Sequence, residues 1–299
     1  MNVLAIDGGG VRGVVPAVVL ANWETDSNRP TQDRFGLFAG TSTGAIVAGS
    51  LAAGISGPTL LELFRSDTAA IFTPQREGFV KRALSFKGIV LPAYSLDPLR
   101  KSLETNLGDR TLGDCPHPLI ISALDVVSGN PKIFRSGHFP DGQNDRTVRM
   151  VDAILASTAA PVLFPSIPVG VSAYIDGSLW ANNPSILAML EANKLHQDPP
   201  NILSLGCGRP LWGGKLGFGG NRGLLGWSLP LVSLLMTAQA DGVAHYMDQL
   251  VPAGRYMRIN PVLPRHLAQI DRAESVPELI ARASEAAREA LPRLNERFA

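Results

Sequence analysis

Cysteine is scarce: Cys115 and Cys207 are the two in 299 residues. Two are too few for a disulfide framework, and no C-x-x-C pair or Cys/His cluster reads as a zinc site. No calcium-loop pattern occurs either, so neither a metal nor another cofactor is expected. Charge is also sparse, at 18% of residues, with 27 Lys+Arg against 26 Asp+Glu for a net +1. A balance this even gives no global attraction to nucleic acid or anionic lipid. No nucleic-acid partner is expected, and any membrane affinity has to come from apolar surface or a local patch. Long hydrophobic runs are missing as well. The most apolar stretch, Leu224 to Met236, contains Gly226 and Pro230 and falls short of the ~18–20 residues that span a bilayer. The chain opens on Met-Asn-Val-Leu-Ala-Ile-Asp, with no basic and apolar leader pattern. The expectation is a cytoplasmic protein in peripheral contact with membrane.

Hydrophobic residues make up 45% of the chain, enough to build a sizeable core and to exclude whole-chain disorder. No internal repeat or low-complexity linker divides it, so one domain over residues 1–299 is expected. Strand and helix patterns alternate. Asn2–Ile6, Phe35–Ala39, Leu119–Leu124, Lys132–Arg135, Ala173–Ile175, Asn201–Leu205 and Arg255–Ile259 read as strands. Helical readings cover Val11–Trp23, Gly44–Ala53, Asp97–Asn106, Val148–Ser157, Pro184–Lys194 and Leu231–Leu250. Ser275-Val276-Pro277-Glu278 has capping-box spacing and opens a last helix over about 276–297. Such alternation predicts an α/β fold with a mainly parallel central sheet covered by helices on both faces. One segment stands apart. Residues 209–229 hold seven glycines interleaved with Trp212, Phe218 and Trp227. Glycine this dense does not hold regular structure cheaply; the segment reads either as a surface loop with tucked-in aromatics or as a mobile lid over an apolar site or a membrane-contacting flap.

Three short motifs carry chemistry. Gly40-Thr41-Ser42-Thr43-Gly44 is a G-x-S-x-G pentapeptide where a strand hands over to a helix. A turn that sharp exposes its central hydroxyl at the sheet edge, with a helix N-terminus beneath it that favours negative charge. The same pentapeptide also describes an ordinary tight turn. Asp7-Gly8-Gly9-Gly10-Val11-Arg12-Gly13 sits at another strand-to-helix junction. Consecutive glycines let backbone N–H groups face an anion. They serve either a phosphate or the oxyanion of a tetrahedral intermediate, with Arg12 adding positive charge. Asp176-Gly177 ends a short strand, where α/β sheets keep their active sites, although Asp-Gly is also a common turn. An aspartate serves as general base directly when it hydrogen-bonds the hydroxyl. Of the five histidines, none sits in a turn suited to a triad; His266 alone comes late enough in the chain.

These elements, in this order, resemble the patatin-like phospholipase family. The likeness extends through Ala156-Ser157-Thr158-Ala159-Ala160-Pro161, Trp180-Ala181-Asn182-Asn183-Pro184 and Arg258-Ile259-Asn260-Pro261, over roughly Asn2 to Pro264. Ser178 departs from the family pattern, which usually has Gly or Ala after Asp-Gly. The resemblance implies a three-layer α/β/α core carrying a Ser42–Asp176 dyad. It also implies an oxyanion hole drawn from Gly8, Gly9, Gly10, Arg12 and Thr43. The implied activity is hydrolysis of fatty acyl esters of phospholipid or lysophospholipid. Alternatives are a small-ester carboxylesterase, or a defence effector that degrades membrane when a small-molecule nucleotide activator binds. A storage protein without activity is disfavoured by the intact Ser42, Asp176 and Arg12.

Overall fold

The computed structural model describes residues 1–74, 92–211 and 224–298. The chain enters on β1 (Asn2–Ile6), whose residues are buried from Val3 onward. Gly10–Gly13 then forms a 3-10 turn, so helix α1 (Val14–Ser27) starts three residues later than the sequence pattern predicts. Strand β2 is Leu37–Thr41, two residues nearer the G-x-S-x-G turn than expected, and α2 is Thr43–Ala52. Helix α3 (Gly57–Ile71) is capped by Ser56 Oγ, which accepts from the Thr59 N–H. In α4 (Asp97–Leu107) the acidic Asp97 is the first helical residue. Its N–H is taken by Ser95 Oγ.

Strands β3 (Leu119–Asp125) and β4 (Pro131–Arg135) form a hairpin, followed by α5 (Met150–Thr158). A second hairpin joins β5 (Ile167–Val169) to β6 (Ser172–Asp176). The short α6 (Ser178–Ala181), α7 (Ser185–Leu195) and β7 (Asn201–Leu205) come next. The segment expected as a lid has regular ends. Arg209–Pro210 is β8, and α8 (Leu224–Leu250) begins seven residues before the predicted start. Gly226 and Pro230 disfavour helix by propensity, which is why the pattern placed the start late. Trp212 and Phe218 lie outside the described residues. The chain closes with β9 (Tyr256–Ile259), β10 (Val262–Leu263) and α9 (Val276–Phe298).

Strands β9, β7, β1, β2 and β3 run parallel in that spatial order, with β4 and β6 pairing antiparallel to β3 and β5 antiparallel to β6. The pleat sorts side chains to two cores. Leu4 and Ile6 of β1, with Phe38 and Ile121, face a layer containing α1, α2 and α9. Val3 and Ala5, with Leu37, Ala39 and Ile120, face α7 and α8. That is the expected three-layer α/β/α arrangement with a mainly parallel sheet. Helix α9 buries Leu279, Ala283, Ala287, Ala290, Leu294 and Phe298 against α1, a spacing of three and four that keeps one stripe inward. The alanines let the two helix backbones approach closely.

A buried ion pair ties three strands together beside the glycine loop. Arg258 on β9 reaches past β7 to Asp7, with Nη2–Oδ2 2.5 Å and Nη1–Oδ1 3.2 Å, and donates to Ser204 Oγ on β7 at 2.6 Å. Removing one partner of such a pair leaves the other buried without compensation. Arg258→Ala is therefore expected to lower unfolding free energy by about 3–5 kcal/mol. Arg258→Met combined with Asp7→Asn should lose clearly less. Urea unfolding of the two variants checks this.

Candidate active site

Register on β3 explains how residues far apart in the chain meet. On one edge, Ile120 to Leu124 pair with β4. On the other edge β2 pairs with Leu119 to Ser122, ending with Thr41 opposite Ser122. The next β3 residue, Ala123, pairs with Asp176 of β6. Because β4 already fills the first edge at Ala123, β6 lies on the β2 edge, and the two strands abut there C-terminus to C-terminus. Ser42 and Asp176 are thus brought side by side. Ser42 Oγ donates to Asp176 Oδ2 at 2.6 Å.

The turn that presents Ser42 is strained. Its φ is 55° and ψ −126°, a conformation L-residues rarely hold and that clusters at functional sites. A β-carbon at Gly40 would lie 2.3 Å from the Gly44 oxygen, and one at Gly44 2.2 Å from the Ile6 oxygen. Only glycine at both positions lets the backbone cross here. The Ser42 N–H is fixed by Ser157 Oγ at 2.8 Å, and Asp176 N–H by Ala159 O at 3.0 Å. Both partners come from the end of α5, inside the Ala156–Pro161 run.

Asp176 is buried, and its second oxygen accepts from the Ser178 N–H at 2.7 Å. Burial pushes its carboxyl up to about 6; the hydrogen bond from Ser42 opposes that shift. A carboxylate with a pKa near the working pH is suited to take and return a proton. Ser178 Oγ and Asn182 Oδ1 are buried beside it with no hydrogen-bond partner among the described residues.

The glycine loop divides its labour differently from the sequence expectation. The Gly8 N–H is occupied, donating to Asn182 O at 3.0 Å. The Arg12 guanidinium donates to the Gly9 and Gly208 carbonyls and is buried away from the cavity. Gly8 therefore offers no amide to an oxyanion, and Arg12 is a clamp on the loop. The N–H groups of Gly10 and Thr43 make no backbone hydrogen bond among the described residues, and both residues line the Ser42 cavity. The Gly9 amide is likewise unpaired but Gly9 does not line it. Gly10, with φ 59°, is held against Ile270, whose carbonyl accepts the next N–H, that of Val11, at 2.8 Å. No sequence signal marked Ile270.

Ser42 and Asp176 open into a cavity of about 660 Å³ whose walls include Leu60 and Phe64 of α3, Leu99 and Leu103 of α4, and Phe164. That volume suits a lipid-sized ligand. No histidine lines it among the described residues. His266 is at the surface and meets Glu278 at 2.9 Å. Among the described residues, no group of three His, Cys, Asp or Glu is placed to hold a metal.

Comparison with known proteins gives a consistent family. The family model for patatin-like phospholipases matches residues 4–189. A cGAMP-activated phospholipase of Pseudomonas aeruginosa is 30% identical over 263 residues, covering 87% of this chain and 78% of that protein. The Escherichia coli protein of the same name is 36% identical over 201 residues, 64% of this chain and 55% of its own length. The crystal structure of VipD from Legionella pneumophila shares the fold, with TM-score 0.54 at 13% identity, over 99% of this chain and 67% of that one.

The buried carboxyl has a consequence for stability. A folded-state pKa of about 6 lies above the unfolded value of 3.8. The stabilisation attached to the neutral acid is thus complete below pH ~4 and is lost as pH rises through about 6. Asp176→Asn keeps an acceptor for the Ser178 N–H and removes the buried charge. It should be more stable than wild type at pH 8, by on the order of 2–3 kcal/mol, and equal to it near pH 4. Thermal unfolding at the two pH values tests this.

Proposed function

The chain belongs to the patatin-like phospholipase family, and on that premise we propose a serine lipid acyl hydrolase working through Ser42 and Asp176. The observation that carries this reading is the 2.6 Å Ser42–Asp176 hydrogen bond in the lining of an apolar cavity of about 660 Å³. A fatty acyl chain lies between α3 and α4, with its ester carbonyl over Ser42. Asp176 takes the hydroxyl proton as Oγ attacks. The N–H groups of Gly10 and Thr43 receive the oxyanion, at the N-terminus of α2 where negative charge is favoured. Asp176 then returns the proton to the leaving lysophospholipid. In the second half, water gives a proton to Asp176 as its oxygen attacks the acyl carbonyl; the acyl–Oγ bond then breaks, Asp176 returns that proton to Ser42 Oγ, and the fatty acid leaves.

We read the chain as one domain acting on the cytoplasmic side, in peripheral contact with membrane. No helix among the described residues is long and apolar enough to cross one. Similarity to cGAMP-activated phospholipases over 87% of the chain supports a second layer, in which a cyclic dinucleotide switches the enzyme on. Phospholipid hydrolysis that rises with added cGAMP supports this regulation. Turnover confined to soluble short-chain esters, with or without cGAMP, favours a carboxylesterase.

Ser42→Ala should abolish both hydrolysis and labelling by a fluorophosphonate probe. Asp176→Asn should cost about 10²–10⁴-fold in kcat, whereas His266→Ala should leave turnover unchanged. A soluble ester separates these effects from lipid access. Because Asp176 has to be ionised, kcat/KM should rise with pH and reach half its plateau near pH 6. A histidine-dependent enzyme would invert the ranking of His266→Ala and Asp176→Asn.

A further inference from the structure

The two hairpins that flank Asp176 carry apolar side chains where turns normally carry polar ones. Asp176 pairs with Ala123, but β3 runs on to Asp125, opposite Tyr174, before turning. The β3–β4 turn and the β5–β6 turn therefore project beyond Asp176, by on the order of 10 Å, on the side where the parallel strands end. They lie together: the Val126 N–H donates to Ala173 O at 2.9 Å, and Ser172 Oγ to Asp125 Oδ1 at 2.5 Å. The conformational needs of both turns are met by other residues. Asp125 accepts from the N–H groups of Val127 and Ser128, and Gly129 and Gly170 take the positive φ angles of 73° and 61°. Val127 is nonetheless 72% exposed and Val171 fully exposed. Neither valine serves a turn or a core.

The cavity has exposed apolar residues of its own. Val162 and Leu179 line its mouth and are exposed on the outside. Val162 has φ 74°, a left-handed conformation that a β-branched residue adopts only when the surroundings impose it. The Ala93 N–H, donating to its carbonyl at 3.1 Å, helps to hold it there. The residues of the two turns, Val126 to Asn130 and Gly170–Val171, include no charged side chain.

We propose that Val126, Val127, Val162, Val171 and Leu179 form the face by which this protein docks on a lipid bilayer, with the turn tips in the headgroup–acyl boundary and the cavity mouth against the membrane. The proposal rests on the acyl hydrolase reading, which supplies the reason for a bilayer at this mouth. Exposed apolar residues at the cavity mouth select the bilayer as occupant, since a phospholipid entering past them leaves the bilayer without crossing water. With no charged side chain on the turns, insertion of the tips needs no anionic lipid, and a neutral, zwitterionic surface suffices. Apolar insertion of this kind reaches roughly 5–10 Å into the interface, which matches the height of the tips.

The test measures binding apart from turnover. The full chain carrying Ser42→Ala is floated with phosphatidylcholine vesicles, alone and with Val127→Asp plus Val171→Asp added. The expected result is vesicle binding that survives high salt and falls about tenfold or more with the two aspartates. Val127→Leu with Val171→Leu should strengthen it. With Ser42 present, the aspartate pair should hydrolyse a soluble short-chain ester at the wild-type rate, which shows that fold and dyad are intact. Its turnover of vesicle lipid should drop in step with binding. Equal vesicle binding with and without the aspartates overturns the proposal. So does a wild-type chain that ignores phosphatidylcholine, or a self-association that the aspartates abolish while binding stays. A failure of the acyl hydrolase reading shows itself separately, as soluble-ester turnover that persists in Ser42→Ala.

Discussion

The structure turns on one requirement: a carboxyl group has to sit in an apolar interior, touch a serine hydroxyl and still ionise near neutrality. Asp176 is 3% exposed, and its described hydrogen-bond partners are Ser42 Oγ and the Ser178 N–H. No cation is among the influences on its pKa. An arginine or lysine there would hold the carboxylate too acidic to take a proton from serine. The glycine loop respects that need. Its arginine, Arg12, is buried nearby but spends its donors on the carbonyls of Gly9 and Gly208. A second arginine, Arg258, is neutralised by Asp7. Positive charge therefore shapes the loop without acting on the base.

Holding that arrangement depends on backbone rather than on side-chain bulk. Ser42 sits at positive φ because β2 ends where β6 ends, and α2 has to leave in a direction that no relaxed turn supplies. The strain is fixed from outside by Ser157 and from beneath by the crossing at Gly40 and Gly44. The segment around Ile270, late in the chain, closes over the loop through Gly10 and Val11. Residues from several distant stretches thus fix a site of a few ångströms. That is the pre-organisation an oxyanion site requires, since its donors have to be in place before charge develops.

What was legible in the sequence, and what was not, follows from the range of the interactions. The G-x-S-x-G turn, the glycine run and Asp176-Gly177 are local signals, because each reports a backbone need met within a few residues. The alternation of strands and helices is likewise local, and it predicts the three-layer sheet. The end-to-end meeting of β2 and β6 on one edge of β3 has no local signature, since it is set by register between strands far apart. The same holds for the Gly8 amide. As one of three glycines it looks like an oxyanion donor, yet it is bound to Asn182 O. Arg12 fails for a related reason: its charge is visible in sequence, its direction is not. Helix α8 starts at Leu224, earlier than the poor propensity of Gly226 and Pro230 predicts. The lid expected over 209–229 falls largely on residues outside those described.

The exposed valines extend the same logic to the surface. Local turn chemistry is satisfied by Asp125, Gly129 and Gly170, so the neighbouring positions are free to carry any side chain. The two turns carry no cationic residue, so their tips have no electrostatic attraction to a bilayer. The remaining route is burial of apolar area, which grows with each exposed methyl group brought out of water. Scattered single hydrophobics on a surface need no explanation. Valines at two adjacent turn tips, with a strained valine at the mouth of an acyl-sized cavity, are not scattered. Their placement aligns the direction of membrane approach with the direction in which Ser42 is presented, so docking and substrate entry become one geometric event.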